Sequence, residues 1–290
     1  MTGNLEKLIR ELGEPVEDAE EETFDLFSQS LPSQNLGFID SKAQTLDLTI
    51  AGRDLTIHQS PAVLSSNRAG GTTGAVVWKI TPLLATYLST TPTFSSIFSS
   101  SPSFQILELG CGISGLIGLL LSPKISKYIL TDQPYVSKLI EQNITENHLP
   151  HHQPKNKKKK QQQQFLGGGG GELIFKPLDW ESTQVTFQEW GNEGYDLIVA
   201  CDCIYNDALI NPLVDTCVDV CKLRTEGDGE REREGTICLI AQQLRDDTVF
   251  EGWLKKFMQH FKVWRIRDEK LPEGLRSGDG FVIHFGVLKG

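Results

Sequence analysis

The sequence predicts a doubly wound α/β fold: a seven-stranded, mostly parallel sheet with helices on both faces, an antiparallel carboxy-terminal strand and an amino-terminal β-hairpin. Three observations predict it. Strand-like and helix-like patterns alternate from residue 104 to residue 260, the order in which helices serve as crossovers between parallel strands. The last two apolar runs, VWRIRD and GFVIHFGVLK, are joined by a turn-rich loop without helical spacing, so they should pair antiparallel. Far upstream, Leu46, Leu48 and Ile50 alternate against Leu55 and Ile57 around Ala51-Gly52, a hairpin signature.

Residues 1–35 are acidic and apolar chiefly at Leu5, Leu8, Ile9 and Leu12; they are expected to form an extension, partly disordered, ahead of a main domain over 36–290. The hairpin caps one end of the core. TTGAVVWKITPLLATYLS then carries helical spacing, with Thr72 or Thr73 as its cap and Pro82 as a kink. Next come a buried strand, FQILELG (104–110), a buried helix, ISGLIGLLLS, a second strand, KYILTDQ, and an amphipathic helix, YVSKLIEQNITENH. Strands ELIFKPLDW (172–180), YDLIVACDCIY (195–205) and GTICLIAQQL (235–244) follow, with helices near 207–222 and 247–260.

Two inserts interrupt this order. Residues 150–171, PHHQPKNKKKKQQQQFLGGGGG, have too little apolar surface to pack and read as a solvated loop. Its lysine run could serve as a nuclear address or nucleic acid contact, but no aromatic residues interleave with it. A second, charged insert spans 224–235. The NIT at 143–145 matches a glycosylation sequon and, without a secretory signal, is expected to be inert.

The chain has 290 residues, 39% hydrophobic and 23% charged, ordinary proportions for a globular protein. No apolar run reaches the roughly 18 residues of a membrane helix, and the acidic start is unlike a targeting peptide. A cytoplasmic or nuclear monomer with no membrane contact is expected. Six cysteines without a C-x-x-C pair argue against a disulfide framework and against a metal site. Cys201 and Cys203, two apart on a strand, should face opposite ways. A net charge of -10 disfavours direct nucleic acid binding and suits a basic macromolecular partner.

The chemistry concentrates in ELGCGISG, where Gly110, Gly112 and Gly115 have G-x-G-x-x-G spacing, by itself a dinucleotide fingerprint. Ligands of open α/β sheets sit beyond the carboxyl ends of the strands. There the sequence supplies Glu108, Asp132, Asp179 and Asp202 from four successive strands. Asp132 satisfies either a dinucleotide or a nucleoside reading, since an acid about 20 residues past the loop binds ribose hydroxyls. Charge distinguishes them: like unit charges 4 Å apart repel by about 4 kcal/mol at an effective dielectric of 20, and no Lys or Arg stands in 106–115 to offset a pyrophosphate. S-adenosylmethionine carries a sulfonium and an ammonium and no phosphate. Trp78 and Trp180 could wall its adenine, or could fill gaps between helix and sheet.

ELGCGISG, an acid ending the next strand and a terminal antiparallel pair together resemble the Rossmann-like class I, seven-β-strand methyltransferases. VW at 77–78, LDW at 178–180 and the D-x-x-Y of DCIY at 202–205 resemble the protein-lysine methyltransferase branch. With the hairpin before VVWKITPLLATYL, and with TDQ and LDWE, the chain is most similar to the fungal ribosomal lysine N-methyltransferase 5 group over residues 36–290, inserts excepted. The resemblance implies S-adenosyl-L-methionine as cofactor and a basic ribosomal protein of the large subunit as substrate. It implies cofactor contacts from Trp78, the Gly110-Cys111-Gly112 backbone, Asp132 on the ribose, Trp180 and the Cys201 backbone. Asp202 and Tyr205 are the candidate catalytic pair, Asp202 orienting the lysine and Tyr205 walling its channel; for Asp202 an N-cap of the following helix is the rival role. Cys203 reads as core. Methylation of another protein or a small molecule, a non-catalytic binding module and a dehydrogenase remain alternatives.

Overall fold

A computed structural model of the chain describes residues 3–32, 35–68, 71–147, 165–166, 171–191, 194–225 and 234–290. Most of the low-complexity insert, its lysine run included, and the middle of the charged insert lie outside the described residues. In chain order the elements are α1 (Asn4–Leu12), β1 (Gly13–Pro15), α2 (Ala19–Phe27), β2 (Thr45–Ile50), β3 (Arg53–His58), α3 (Pro61–Leu64), α4 (Ile80–Thr90), α5 (Pro92–Phe98), β4 (Gln105–Leu109) and α6 (Leu116–Leu121). They continue with β5 (Lys127–Asp132), α7 (Ser137–Asn147), β6 (Phe165–Leu166), β7 (Glu172–Pro177), α8 (Phe187–Trp190), β8 (Leu197–Cys201), α9 (Asp207–Thr225), β9 (Ile237–Gln243), α10 (Asp247–His260), β10 (Phe261–Ile266) and β11 (Phe281–Leu288).

All strands but β2 and β3 join one sheet, in the order β1-β10-β11-β9-β8-β4-β5-β7-β6. Its seven consecutive central strands are the seven expected. β4, β5, β7, β8 and β9 pair in parallel, and β11 runs antiparallel to both β9 and β10. The short β1 and β6 add antiparallel edges. Period-two alternation divides each central strand between two apolar layers. Ile106, Leu130, Val199 and Leu239 pack towards α4, α6 and α7, while Leu107, Ile129, Ile198 and Ile240 pack towards α9 and α10. From β4 the chain moves outward through β5 and β7, then returns to β8 on the other side of β4. The switch point therefore lies between β4 and β8, where ligands of such sheets collect.

Two expectations are corrected. Residues 4–27 are folded onto the domain: Leu8 and Leu12 are buried in the core, β1 pairs with β10, and buried Glu22 accepts from His284 Nε2 at 2.8 Å and from Arg265. The helix read from Thr72 or Thr73 begins at Ile80 instead. Val76 is extended, Val77 accepts a backbone bond from Ile39 and Trp78 bridges to Phe38. Trp78 thus precedes the helix, and Pro82 stands in its first turn, where a missing N–H costs nothing.

The β2–β3 hairpin turns on Ala51 and Gly52, both at positive φ (49° and 78°), as a two-residue hairpin loop requires. The free edge of β3 is satisfied by side chains of α7. Asn143 accepts from the His58 N–H and donates to its carbonyl, and Asn147 does the same for Thr56. Asn143 is fully buried, so the sequon is inaccessible in the folded chain. Among the described residues no helix is long and apolar enough to cross a membrane.

Candidate functional site

The segment after β4 turns sharply, with Gly110, Gly112 and Gly115 at φ of 70°, 61° and 58°. Four bonds hold it. Cys111 N–H donates to the Thr131 carbonyl (3.0 Å) and Ile113 N–H to the Gly74 carbonyl (2.9 Å). Gly112 N–H donates to Asp132 Oδ2 (2.8 Å), and Asn143 Nδ2 donates to the Ile113 carbonyl (2.7 Å). Close approach explains the first two glycines beyond their backbone angles. A Cβ at Gly110 would lie 2.6 Å from Cys203 Sγ, and one at Gly112 would lie 3.1 Å from the Gly74 carbonyl oxygen.

Above this loop opens a cleft, at the carboxyl ends of the strands where ligands of such sheets bind. Segments 71–81, 110–114, 132–135, 178–180 and 201–209 contribute its walls. All nine residues singled out as candidates, Trp78, Gly110, Cys111, Gly112, Asp132, Trp180, Cys201, Asp202 and Tyr205, line it. Thr73, Gly74, Tyr135 and Cys203 line it too, and motif reading assigned them no part in the site. Thr73 donates its hydroxyl proton to Tyr205 Oη at 2.9 Å, and its backbone carbonyl accepts from Trp78 Nε1 at 3.0 Å. The Trp180 indole N–H is buried without a partner among the described residues. The described residues contain no cluster of three metal-ligating side chains, and all six cysteines are buried thiols.

Asp132, Asp179 and Asp202 line the cleft, and among the described residues no Lys or Arg does. Glu108, the fourth acid expected there, does not reach it. Strand side chains project from the sheet face, so Glu108, one residue short of the end of β4, is buried beneath the floor and accepts from Tyr128 Oη at 2.7 Å. Burial pushes its carboxyl up to about 8. Asp132 ends β5 and does reach the cleft; its Oδ1 accepts from Gln133 N–H at 2.7 Å. Burial raises its carboxyl to about 6, against the opposing pull of the two backbone N–H donors. Burial likewise holds the thiols of Cys111, Cys201 and Cys203 protonated.

Asp202 takes partners that the sequence does not announce. It does not cap α9, where Asn206 Oδ1 takes the Ala208 N–H instead. Nor is its carboxylate free: Arg245 donates from Nη1 to Oδ1 (2.7 Å) and from Nη2 to Oδ2 (2.6 Å), and Gln243 N–H also reaches Oδ1 (3.2 Å). The side chain of Asp202 is only 2% exposed.

Ribose hydroxyls donate to an ionised carboxylate, so a ligand gripped by Asp132 favours its deprotonated form. Affinity for a nucleoside ligand is therefore expected to be flat above about pH 7 and to fall by up to about tenfold per unit below pH 6. Calorimetric titration between these limits checks it.

A family model described as lysine methyltransferase matches residues 58–227, more than half of the chain. A Schizosaccharomyces pombe protein named diaminohydroxyphosphoribosylamino-pyrimidine deaminase is 31% identical over 257 residues, which cover 88% of this chain. The chain spans only 55% of that relative's length. The ribosomal lysine N-methyltransferase 5 of Zygosaccharomyces rouxii is 29% identical over 236 residues, covering 72% of each chain. Among solved structures, the methyltransferase domain of bacterial CtHen1-CN has a TM-score of 0.45 at 13% identity, covering 71% of this chain and 100% of that domain.

Proposed function

The chain belongs to the lysine methyltransferase family, and from that premise we propose that it is a protein-lysine N-methyltransferase that uses S-adenosyl-L-methionine and acts on a basic protein of the large ribosomal subunit. The observation that carries the reading is the cleft itself: Asp132, Asp179, an Arg245-paired Asp202 and a glycine loop converge at the switch point, and among the described residues no Lys or Arg lines it. That donor set fits a ligand with a sulfonium, an ammonium and ribose hydroxyls, and it would repel a pyrophosphate.

When bound, the cofactor supplies an electrophilic methyl group: the amine lone pair forms the new N–C bond, the S–C pair stays on sulfur, and the methylated nitrogen releases a proton to water. The chain's residues do the rest. Asp132 holds the ribose, the backbone of 110–112 sets the depth of the site, and Trp78, Trp180 and the Cys201 backbone enclose the nucleoside. Tyr205, 41% exposed and held by Thr73, walls the mouth through which lysine enters, and Asp202 orients the amine. Bringing a lysine from a pKa near 10.4 to its neutral form at pH 7.4 costs about 4 kcal/mol. Desolvation at the mouth beside a sulfonium would lower that cost, and positioning contributes to the remainder of the barrier.

A net charge of -10 complements a basic ribosomal protein, and the name of the Zygosaccharomyces relative points to the same substrate class. The enzyme would work as a monomer in the cytoplasm or nucleus, without direct nucleic acid contact. The deaminase name of the Schizosaccharomyces relative finds no counterpart here, because the sequence lacks the C-x-x-C ligand pair of zinc nucleobase deaminases. Incubation with methyl-labelled S-adenosylmethionine and an extract of cells lacking the chain tests the reading. A labelled large-subunit band carrying methyl-lysine is expected; cofactor binding with label only in small molecules would redirect it to a small acceptor.

A further inference from the structure

Arg245 lies two residues beyond β9 and belongs to none of the sequence motifs. Its guanidinium nevertheless organises the mouth of the cleft. Besides the bidentate pair with Asp202, Nη2 donates to Gln243 Oε1 at 2.8 Å and Nε to the Leu36 carbonyl at 3.3 Å. The guanidinium carbon stands 5.1 Å from the centre of the Trp78 ring, in reach of a cation–π contact. The backbone is bent to accommodate it. Asp202 and Leu36 take φ of 60° and 63°, a left-handed conformation rare outside glycine. A Cβ on Gly37 would lie 2.0 Å from Gln243 Oε1 and 2.8 Å from Arg245 Nη2. Two of the three non-glycine residues at positive φ among the described residues thus bond Arg245 directly.

Resting on the reading of this cleft as a lysine methyl-transfer site, we propose that Arg245 is a positioning residue, which by pairing with Asp202 offers the incoming amine a fixed hydrogen-bond acceptor without net charge. A lone carboxylate would hold the acceptor as ammonium, raising its pKa by about 1–3 units, whereas attack requires the free lone pair. The salt-bridged carboxylate keeps its orienting oxygen, Oδ2, which has a lone pair to spare beside its bond to Arg245. The neighbouring carboxylates are Asp132 and Asp179. Burial raises the Tyr135 hydroxyl and the three thiols facing the cleft, and partial desolvation raises the Tyr205 hydroxyl. Glu108, under the floor, is raised to about 8; it is common to every variant below and cannot distinguish them.

The test is the pH dependence of kcat from about pH 6.5 to 10, at saturating S-adenosylmethionine, with large ribosomal subunits from cells lacking the chain. For Arg245→Met the rising limb should move alkaline by about one unit, so that a roughly tenfold deficit near neutrality closes at high pH. Arg245→Gln, which keeps a hydrogen bond but no charge, should shift likewise and serves if the Met variant does not fold. Arg245→Lys should stay near the parent. The double variant Asp202→Asn/Arg245→Met removes both charges and should return the limb to the parent position, a rescue that a purely structural role does not produce. Calorimetric binding of S-adenosylmethionine by each variant shows that its cleft is intact. Profiles of cofactor-binding Arg245→Met and Arg245→Gln that superimpose on the parent would overturn the proposal. Absence of methyl transfer by a cofactor-binding parent would instead overturn the functional reading, and the proposal with it.

Discussion

Asp132→Ala should weaken S-adenosylmethionine binding by about 100-fold or more. A hydrogen bond to a charged group contributes about 1.5–3 kcal/mol, so losing two ribose bonds costs about 3 kcal/mol or more, and each 1.4 kcal/mol is tenfold in affinity. The substitution also deprives Gly112 and Gln133 N–H of their acceptor, which loosens the glycine loop from β5. Function here works against stability. The carboxyl is raised from its ordinary value to about 6 by burial, so its ionisation increasingly disfavours the fold as pH rises from about 4 to 6, and by a constant amount above that. At pH 7 Asp132→Asn removes the buried charge but turns an amide NH2 towards one of the two backbone N–H donors, so it should bind cofactor far more weakly while unfolding less easily than Asp132→Ala, which leaves both donors without their acceptor. Calorimetry and urea titration of the two variants check both statements; a loss of affinity below about threefold for Asp132→Ala would remove the ribose role.

Trp253→Ala should cost about 3–5 kcal/mol of stability, the range for emptying a buried aromatic site, against a total of about 5–15 kcal/mol for a typical domain. Trp253, on α10, is fully buried. Its ring stacks on Phe257 (5.5 Å between centres) and meets Phe250 and His284 edge-on (5.7 Å each). His284 in turn binds Glu22 of α2, so one indole braces the sheet, α10 and the amino-terminal segment. Its N–H has no partner among the described residues. Trp253→Phe removes that buried donor and most of the cavity, and it should cost distinctly less than the alanine variant. Urea unfolding curves at constant slope measure the difference; equal costs would mean that the cavity is not what destabilises.

The sequence made the central sheet legible because its strands are apolar on both faces and punctuated by polar turns, a pattern that neither surface helices nor solvated strands share. The edges were not legible. β1 and β6 have three and two residues, too short to show a period, and β1 is fixed by pairing with Trp264, Arg265 and Ile266, far along the chain. The start of α4 failed similarly: Val76, Val77 and Trp78 fit a helical stripe, but pairing with Phe38 and Ile39 pulls them into extended backbone. In the cleft, glycine spacing and strand-end acids identified Gly110, Gly112, Asp132, Asp179 and Asp202. Glu108 misled because it was counted as a strand end, although pleat parity sends it to the face of Ile106. Asn143 carried a misleading signal, a sequon that is in fact a buried brace. Arg245 carried no local signal, since its partners at 36, 202 and 243 meet only in the folded chain.

The most direct test of the cleft's chemistry is calorimetric titration of the purified protein with S-adenosylmethionine and, separately, with reduced nicotinamide adenine dinucleotide at pH 7.5. One saturable site for S-adenosylmethionine, lost in Asp132→Ala, and no heat from the dinucleotide is the expected result. Binding of the dinucleotide with none of S-adenosylmethionine would contradict the acidic, phosphate-free reading of the glycine loop and every role assigned from it.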